Sequence, residues 1–527
     1  MAQAQGQDLQ VIAQEGDQAP GLAEGTLYHI GFRKPVISGN GHIAFTATVR
    51  KDTNKQALFF GKPAELTAIA VQDDPAPGAD GDVFCKFFGF INPSFSYIPG
   101  NDGSLVFTAL VLPPGYVNSQ CTSSSGRLGI WHYKEGLIQL VAIEDEQAAD
   151  VADGLVYKDI LDNDKYFRYR DGMVHFAAML HNPDGAVDLG VSFWTGGVND
   201  LHHIVTAGDV APGFEPKTVS SPGKKLLVNG SGTSLLYSSL DGSGSDQVFW
   251  KANLGTMEVL LKSGTPAPEY GTGVSFYHYV AAQPYEWGLN DSGHSCYSIR
   301  MFHDDVPAVQ FSTLWLDDGA LRKVLASEEY SDTGLGESYG FTLLKDCFVN
   351  RNSLTLFRAN AHSEEPAGTR TGLWTARLGD ETADLTFVVS DSDTLLADEA
   401  TFNTGDNAPS EAHINARDGV AFKVMVTGQD VAGDRDSIWL VNENGDQLLA
   451  IEGQTITDSH GILRTLGSTM EFGVGDVGTG NEDGRPSGLS DYDQVVLRST
   501  LSGIGDVILV SPPCCNLMFK DGFESVQ

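Results

Sequence analysis

The sequence predicts an all-β protein, and within that class a β-propeller built from four-stranded blades. Two observations carry this prediction: three short patterns recur in a fixed order along the 527 residues, and Gly, Asp and Asn punctuate them. Long stretches with helical periodicity are absent. Four β-segments in each unit of roughly sixty residues, repeated in series, are typical of propellers. We count eight units and predict eight blades; seven blades with an appended unit is the alternative.

The three patterns define the strands of each unit. The first is a β-like run that enters a turn, at 9–21, 66–78, 138–150, 201–213, 257–269, 321–334, 385–398 and 446–456. The second is a strand rich in small residues, at 41–47, 103–109, 172–178, 233–239, 293–299, 353–359, 418–424 and 493–499. The third carries an aromatic residue, which is Trp in six of its eight copies, at 57–62, 128–133, 191–196, 247–252, 312–317, 371–376, 436–441 and 505–510. An apolar stretch before each second pattern, such as YHIGFRKPVIS, supplies the fourth segment.

The order of the patterns predicts how the ring closes. We name the strands of a blade a to d in chain order, the apolar stretch being strand a and the first pattern strand d. The chain begins with a lone strand d at 9–14 and ends on a strand c at 505–510. Pairing of these two strands completes the last sheet and removes its open edge. We therefore expect one propeller domain over 1–513 and a short tail over 514–527.

Composition limits the partners. The chain has 33 Lys and Arg against 69 Asp and Glu, a net charge of −36, which argues against nucleic acid because phosphate binding needs clustered cations. A local cationic groove for an anionic ligand remains compatible with this charge. Apolar runs of about 18 residues, as a membrane span requires, are absent. Six cysteines, and an N-terminus that reads as a mature one with an added Met after removal of an export signal, predict a secreted protein, which we expect to be a monomer.

Some segments resemble a known family. NDGSLVFTA at 101–109 and the Gly-Asp-x-Ala-Pro-Gly turns at 16–21 and 208–213 are similar to those of secreted bacterial tandem-repeat proteins with an NxxGxxAF motif. The C-terminal MFKDGFESVQ is similar to the DGFE tails of exported gammaproteobacterial proteins. These resemblances imply export and a repeat fold and imply no activity.

Residues that depart from the repeat are the candidates for function. The segment KYFRYRDG in blade three places Lys165, Arg168 and Arg170 among aromatic residues such as Tyr166. Aromatic faces stack on sugar rings, and Arg binds carboxylate or sulfate through a planar fork. We predict that this segment binds substrate. The alternative is a surface strand whose Arg residues pair with Asp.

Further candidates lie in blades three and five. His181 follows strand b of blade three and His202 opens its strand d, whereas Tyr279, Tyr285 and Arg300 belong to blade five. Eliminative cleavage of a uronic-acid polymer needs a cation to neutralise the C6 carboxylate, a base to remove the C5 proton and an acid to protonate O4. These residue types supply all three without a metal. The alternative is that the tyrosines of blade five belong to the aromatic core, that Arg300 is a surface residue and that the histidines of blade three are structural.

The spacing of these residues resembles that of the β-propeller ulvan lyases. The resemblance implies that His181 and His202 form the histidine pair, that Tyr285 is the base and that Arg300 is the neutraliser. Tyr279 lies closer to Arg300 in the expected hairpin and is taken as substrate-binding.

The leading functional prediction is a secreted polysaccharide lyase that cleaves an ulvan-like anionic polysaccharide by β-elimination and requires no cofactor. The alternative is a non-catalytic propeller that binds glycans or a protein. Glycoside hydrolysis needs two facing carboxylates, and the sequence singles out no pair. HExxH and P-loop motifs are absent from the sequence.

Metal sites are weaker candidates. His294, Cys296, His303 and Cys347 could bind structural zinc, with a Cys296–Cys347 disulfide or two core thiols as alternatives. The acidic turns at 73–82 and 390–393 could bind Ca²⁺. The adjacent Cys514 and Cys515 bridge to each other or fix the tail to the blades.

Overall fold

The chain forms eight small, essentially antiparallel sheets in a computed structural model, and they are arranged as an eight-bladed β-propeller. This confirms the predicted fold class and the number of blades. No helix among the described residues is long and apolar enough to cross a membrane. The structure describes residues 9–87, 97–122, 124–161, 166–241, 246–268, 270, 273–276, 287–303, 306–327, 333, 335, 339–364, 367–378, 383–390, 394–395, 400–403, 411–428, 431–472, 478–479 and 482–513.

The first four blades hold most strands of the N-terminal half. After β1 (Gln10–Gln14), blade 1 comprises β2 (Leu27–Tyr28), β3 (Val36–Ile37), β4 (Ile43–Arg50), β5 (Asn54–Gly61) and β6 (Thr67–Val71). Blade 2 comprises β7 (Val83–Lys86), β8 (Tyr97–Pro99), β9 (Leu105–Leu112), β10 (Arg127–Lys134) and β11 (Leu137–Ile143), with a short 3-10 helix at Asn118–Gln120. Blade 3 comprises β12 (Val156–Leu161), β13 (Phe167–Arg170), β14 (Met173–Asn182), β15 (Val187–Gly197) and β16 (Asp200–Thr206). Blade 4 comprises β17 (Val219–Val228), β18 (Thr233–Leu240), β19 (Gln247–Asn253) and β20 (Thr256–Lys262).

The other four blades complete the ring. Blade 5 comprises β21 (Val274–Phe276), β22 (Trp287–Leu289), β23 (Ser295–His303), β24 (Val306–Asp317) and β25 (Leu321–Ala326). Blade 6 comprises β26 (Tyr339–Val349), β27 (Thr355–Glu364), β28 (Ala367–Leu378) and β29 (Ala383–Ser390). Blade 7 comprises β30 (Thr394–Leu395), β31 (Ala400–Asn403), β32 (Glu411–Ile414), β33 (Val420–Gly428), β34 (Val431–Asn442) and β35 (Gly445–Ile451). Blade 8 comprises β36 (Thr455–Thr457), β37 (Leu463–Phe472), β39 (Val496–Leu501), β40 (Gly505–Val510) and β1, and β38 (Gly478–Thr479) of the same stretch pairs with β32 in parallel.

The N-terminal strand closes the ring, as predicted. Strand β1 pairs antiparallel with β40, so that Gln10 lies opposite Val510 and Val11 opposite Leu509. The last blade thereby takes its outermost strand from the start of the chain. This pairing satisfies the edge of β40 that would otherwise be open.

In blades 2 and 3 the Trp of strand c donates a hydrogen bond to the turn that follows strand d of the preceding blade. Trp131 donates its Nε1 hydrogen to the carbonyl oxygen of Pro77 (3.0 Å), and Trp194 donates to that of Ala149 (2.9 Å). Both indoles are fully buried, and Ala76 and Ala148 of the same turns are buried with them. A buried indole N–H needs an acceptor, and the turn supplies one without a large side chain. In blades 4, 5 and 7 the Trp donates instead to a hydroxyl group of its own blade, on Ser238, Thr313 or Ser437.

Buried asparagines in the turns between strands a and b join neighbouring blades. Their Nδ2 groups donate to a carbonyl oxygen of the next blade: Asn229 to Asn290 (3.0 Å), Asn290 to Asn350 (2.7 Å), Asn350 to Asn415 (2.9 Å) and Asn415 to Ser490 (2.9 Å). Their Oδ1 atoms accept backbone N–H groups of their own turns. The amide nitrogen and the amide oxygen of each side chain thus both form hydrogen bonds, as buried polar atoms require. These four asparagines therefore have a structural role, since each joins its blade to the next.

Residues 482–490, which we call the central segment, cross the middle of the propeller. All nine are buried. Backbone N–H groups from three blades donate to its carbonyl oxygens: Ile37 to Ser487 (2.8 Å), Tyr169 to Gly484 (3.1 Å) and Val228 to Asp483 (3.1 Å). The central segment therefore fills the axis at the level of the innermost strands.

Candidate functional site

The two ends of the propeller carry different loops. One end, which we call the a–b face, carries the a–b and c–d turns; the other, the b–c face, carries the b–c turns and the d–a loops. His181 lies opposite Asp188 beside the b–c turn of blade 3, whereas His202 lies opposite Thr195 near the c–d turn. Positions 188 and 195 of β15 are roughly 20 Å apart at about 3.3 Å per residue. The structure therefore places His181 and His202 at opposite ends of the blade and does not bring the predicted pair together.

Each of these histidines lies beside a carboxylate. His181 Nδ1 is 2.7 Å from Asp188 Oδ1, which also accepts from Lys158 at 3.0 Å. His202 is 3.6 Å from Asp150 and 3.5 Å from Asp200. In each case the partners belong to the same blade or to the loop that enters it.

Arg300 shares the b–c face with His181 and is oriented differently. It lies within β23 and opposite Ser312, three residues before the strand ends at His303, whereas the sequence predicts a position after strand b. The strand is longer than expected because it continues in a hairpin with β24. Side chains alternate between the two sides of a strand, so Ser298 lies on the same side of β23 as Arg300. Ser298 donates a hydrogen bond to the Leu344 carbonyl of blade 6. In blade 3, His175 lies on the same side of β14 as His181, and it contacts Ser234 of blade 4. The strands that carry Arg300 and His181 therefore contact different neighbours, blade 6 for β23 and blade 4 for β14.

Three of the predicted residues, Lys165, Tyr279 and Tyr285, lie outside the described residues. Tyr166 is described and half-buried, and burial raises the pKa of its hydroxyl. The structure thus describes Tyr166 and not the two tyrosines of blade five.

The two arginines of KYFRYRDG are buried. Arg168 is 1% and Arg170 2% exposed, and strand a of blade 3 is interrupted, so that KYFRYRDG forms only its second part, β13. Arg170 binds both carboxylate oxygens of Asp291 in blade 5, at 3.2 and 2.5 Å. Arg168 donates to the Phe167 carbonyl at 2.8 Å and lies against Gly484 of the central segment. Arg170 therefore pairs with an Asp, as the alternative interpretation of KYFRYRDG expects. The pair lies inside the propeller, however, and not on a surface strand.

The carboxyl group beside this pair has an unusual environment. Glu482 is 2% exposed and lies 3.8 Å from Arg351. Burial, and then the charge of Asp291, raise the pKa of Glu482 to about 8. The centre of the a–b face thus holds a carboxyl group that is largely protonated at neutral pH.

The metal candidates have other partners. Cys296 and Cys347 form a disulfide that joins blades 5 and 6, which corresponds to the disulfide alternative and leaves neither thiolate for zinc. His294 Nδ1 is 2.7 Å from Ser353 Oγ, and the His303 ring packs on Phe311. Among the described residues, no group of three His, Cys, Asp or Glu side chains is arranged to hold a metal ion.

A second disulfide, Cys85–Cys121, lies within blade 2. Two disulfides are consistent with an extracellular protein. In the acidic turn at 73–82, Asp73 pairs with Lys55 and Asp82 with Arg127, each at 3.0 Å. Residues 391–393 of the other acidic turn and the pair Cys514 and Cys515 lie outside the described residues.

A cleft of about 430 Å³ opens on the a–b face between the first two blades. We call it the blade 1–2 groove; its lining includes Asn40, His42, Phe60, Lys62, Asp102 and Tyr133. The His42 ring stacks on Phe60 with centroids 5.4 Å apart, and Tyr133 meets Phe60 edge-on at 5.7 Å. The groove therefore combines aromatic surface with cationic and anionic groups, a combination suited to saccharides.

The hydrogen bonds of Asn40 fix the tautomer of His42. Asn40 Nδ2 donates to the carbonyl oxygen of Asn101 in blade 2, so its Oδ1 is the acceptor that faces His42 Nδ1 at 2.6 Å. His42 therefore carries its proton on Nδ1, and Nε2 has a lone pair. Among the described residues none bonds to Nε2, and the His42 ring lies beside Gly103 of blade 2 in the lining of the groove.

The charges around the groove favour a neutral imidazole. Burial and then the nearby Lys62 ammonium lower the pKa of His42 below its usual value, against a smaller opposing effect of Glu65 and Asp102. Although burial opposes ionisation of Asp102, hydrogen bonds from Lys134 (2.7 Å) and Ser104 lower the pKa of that carboxyl. The groove thus presents an unprotonated imidazole nitrogen, an ammonium group and a carboxylate together.

The sequence analysis did not identify His42, because the candidates it singled out lie in blades three and five, whereas His42 opens strand b of blade 1. A signal was present: most second patterns follow their turn with a small or apolar residue, whereas GHIAFTA and GHSCYSI follow it with His42 and His294. Nothing local distinguishes these two histidines, since the groove around His42 requires residues of blade 2.

Comparisons with known proteins identify a family and no activity. A family of unknown function, DUF7453, matches residues 1–120 and 96–503. No curated protein matches the chain in sequence. The resemblance to the NxxGxxAF tandem-repeat proteins stays a prediction.

Similar solved structures include polysaccharide lyases and peptidases. The β-propeller domain of the Trilobed protease from Pyrococcus furiosus is 7% identical, with 80% of this chain and 97% of that chain covered and a TM-score of 0.34. A polysaccharide lyase of a new family, the PL25 ulvan lyase, is 10% identical, with 78% and 90% covered and a TM-score of 0.30. An oligogalacturonate lyase in complex with manganese is 12% identical, with 72% and 99% covered and a TM-score of 0.27. The DUF7453 matches span more than half of the length of the present chain. The chain therefore belongs to this family of unknown function.

Proposed function

We propose that this is an exported protein that binds a uronate-containing, ulvan-like polysaccharide in the blade 1–2 groove and cleaves it by β-elimination. The observation that carries the proposal is the His42 imidazole, held in one tautomer with Nε2 directed to a groove that also contains Lys62. A base near neutral pH beside a cation is what the first step of uronate elimination requires.

The residues of the groove can be assigned to the three parts of the reaction. The Lys62 ammonium neutralises the C6 carboxylate of the bound uronate, which acidifies the C5 proton. His42 Nε2 removes this proton, the C5–H electrons form the C4–C5 double bond, and the C4–O4 bond breaks. The Tyr133 hydroxyl donates a proton to the departing O4. Tyr133, which is partly exposed and packs on the buried Phe60, supplies the aromatic surface for a sugar ring.

The groove is preferred to the residues predicted from sequence. His42, Lys62 and Tyr133 line one cleft, whereas His181 and His202 lie at opposite ends of blade 3. The site assignment of His181, His202, Tyr285 and Arg300 remains the competing proposal, and variants of His181 and Arg300 discriminate the two. Under the groove proposal these variants keep full turnover.

The test is incubation of the protein with ulvan and other uronate polymers while the ultraviolet absorbance of the unsaturated product is followed. We expect an increase that the His42→Asn variant abolishes without a change in melting temperature. Binding of the polymers without absorbance identifies the non-catalytic glycan-binding alternative. New reducing ends without absorbance identify a hydrolase instead.

A further inference from the structure

An arginine on the a–b face is held by an aromatic ring. The Arg417 guanidinium carbon lies 4.8 Å from the centroid of the Tyr492 ring. Arg417 belongs to the a–b turn of blade 7 and Tyr492 to that of blade 8, and both side chains are exposed, Tyr492 by 41%. An Arg that stacks on a ring keeps its N–H edge available for a second partner.

The carboxylates near Arg417 already have other partners. Asp491 Oδ1 accepts the Ala416 backbone N–H at 3.0 Å. Asp493 accepts from Asn415 at 2.6 Å and from Asn442 at 2.9 Å. Among the described residues Arg417 forms no ion pair within 4.0 Å, whereas Arg170, Arg358 and Arg498 each bind a carboxylate. In a chain with 69 acidic residues, an exposed guanidinium without a carboxylate partner is a candidate for an external anion.

This pair is close to the blade 1–2 groove. Ala416, next to Arg417, bonds to Asp491, and the Asp491 backbone N–H donates to the Gly39 carbonyl at 2.9 Å. Gly39 precedes Asn40, which orients His42. The turn of blade 8 alone therefore separates Arg417 from the groove, and both lie on one face.

We infer that Arg417, stacked on Tyr492, is a distal subsite for a second carboxylate or sulfate group of the same polysaccharide chain. This inference depends on the proposed function and extends it, because it defines the substrate as a chain with repeated negative charges and not a single charged sugar. The guanidinium fork binds two oxygens of the anion. The exposed part of the Tyr492 ring packs on the adjoining sugar.

The test compares polymer with disaccharide. Ulvan and an unsaturated ulvan disaccharide are titrated by calorimetry into wild type, Arg417→Ala, Arg417→Lys and Tyr492→Ala. The matched control is Lys262→Ala, because Lys262 also lies over an aromatic ring, that of Phe214 (4.9 Å), at the b–c face end of strand d in blade 4.

We expect Arg417→Ala to weaken polymer binding about tenfold, comparable to the loss of one charge-assisted hydrogen bond, and to leave disaccharide binding unchanged. Arg417→Lys retains the charge but not the guanidinium fork, so its affinity for the polymer should lie between those of wild type and Arg417→Ala. Lys262→Ala should bind the polymer as wild type does. If wild type cleaves ulvan and Arg417→Ala binds polymer equally well, the subsite is refuted while the proposed function stands. If wild type neither binds nor cleaves any uronate polymer, both are refuted.

Discussion

Replacement of Glu482 by Gln tests the central segment most sharply, because the carboxyl group there is buried and surrounded by charge. Glu482 is 2% exposed, and burial followed by the Asp291 charge raises its pKa from 4.5 to about 8. Asp491 adds to the increase, and Arg170 and Arg351 oppose it. The folded state therefore binds this proton more tightly than the unfolded state does.

The sign of the pH dependence follows directly. The stabilising contribution of this proton is complete below pH 4.5 and is lost as the pH rises to about 8, because the unfolded chain ionises first. A shift of this size corresponds to roughly 3–5 kcal/mol at about 1.4 kcal/mol for each pKa unit. Glu482→Gln has no such proton, so its free energy of unfolding relative to wild type should improve by that amount between pH 4 and pH 9.

The measurement is urea unfolding of both proteins at several pH values between these limits. Glu258→Gln, which changes an exposed carboxyl group on strand d of blade 4, serves as the control and should show little change. A difference between wild type and Glu482→Gln that does not vary with pH would refute the assigned environment of Glu482.

Two further predictions concern stability. Asn290→Ala removes the hydrogen bond to the Asn350 carbonyl and leaves the His294 backbone N–H without its acceptor. We expect the free energy of unfolding, measured in urea, to fall by about 2–5 kcal/mol. The control, Asn253→Ala at an exposed position, should lower it by less than about 0.5 kcal/mol. A loss below about 1 kcal/mol would contradict the blade-joining role. Trp194→Phe loses the bond to the turn after strand d of blade 2 and should cost about 1–3 kcal/mol; an unchanged denaturation midpoint would show that the indole N–H contributes nothing.

The fold was predictable because its signals are local and repeated. Each unit carries the same four patterns, and the lone strand d at the N-terminus matches the missing strand of the last unit. The pairing of Gln10 with Val510 therefore followed from the order of the patterns. Local patterns also placed the Trp residues, although their acceptors, which are turn carbonyl groups in blades 2 and 3 and hydroxyl groups in blades 4, 5 and 7, became evident only in three dimensions.

The site was less predictable because its environment comes from distant parts of the chain. KYFRYRDG has the composition of an exposed binding strand, yet both arginines are buried, because Arg168 lies against Gly484 of the central segment and Arg170 pairs with Asp291 of blade 5. His42 has no distinguishing neighbours in sequence. Its tautomer depends on Asn40, whose orientation depends in turn on Asn101 of the next blade.

The most direct test of the account is the pH profile of kcat/KM on ulvan for wild type, His42→Asn and His294→Asn. His294 occupies the same turn position in blade 5, where its Nδ1 contacts Ser353, and it lies outside the blade 1–2 groove. We predict an acidic limb with a midpoint below the ordinary histidine value of about 6.5, a loss of about 10²–10⁴-fold in His42→Asn and an unchanged profile in His294→Asn. Full activity of His42→Asn, or an equal loss in both variants, would contradict the assignment of His42 as the base.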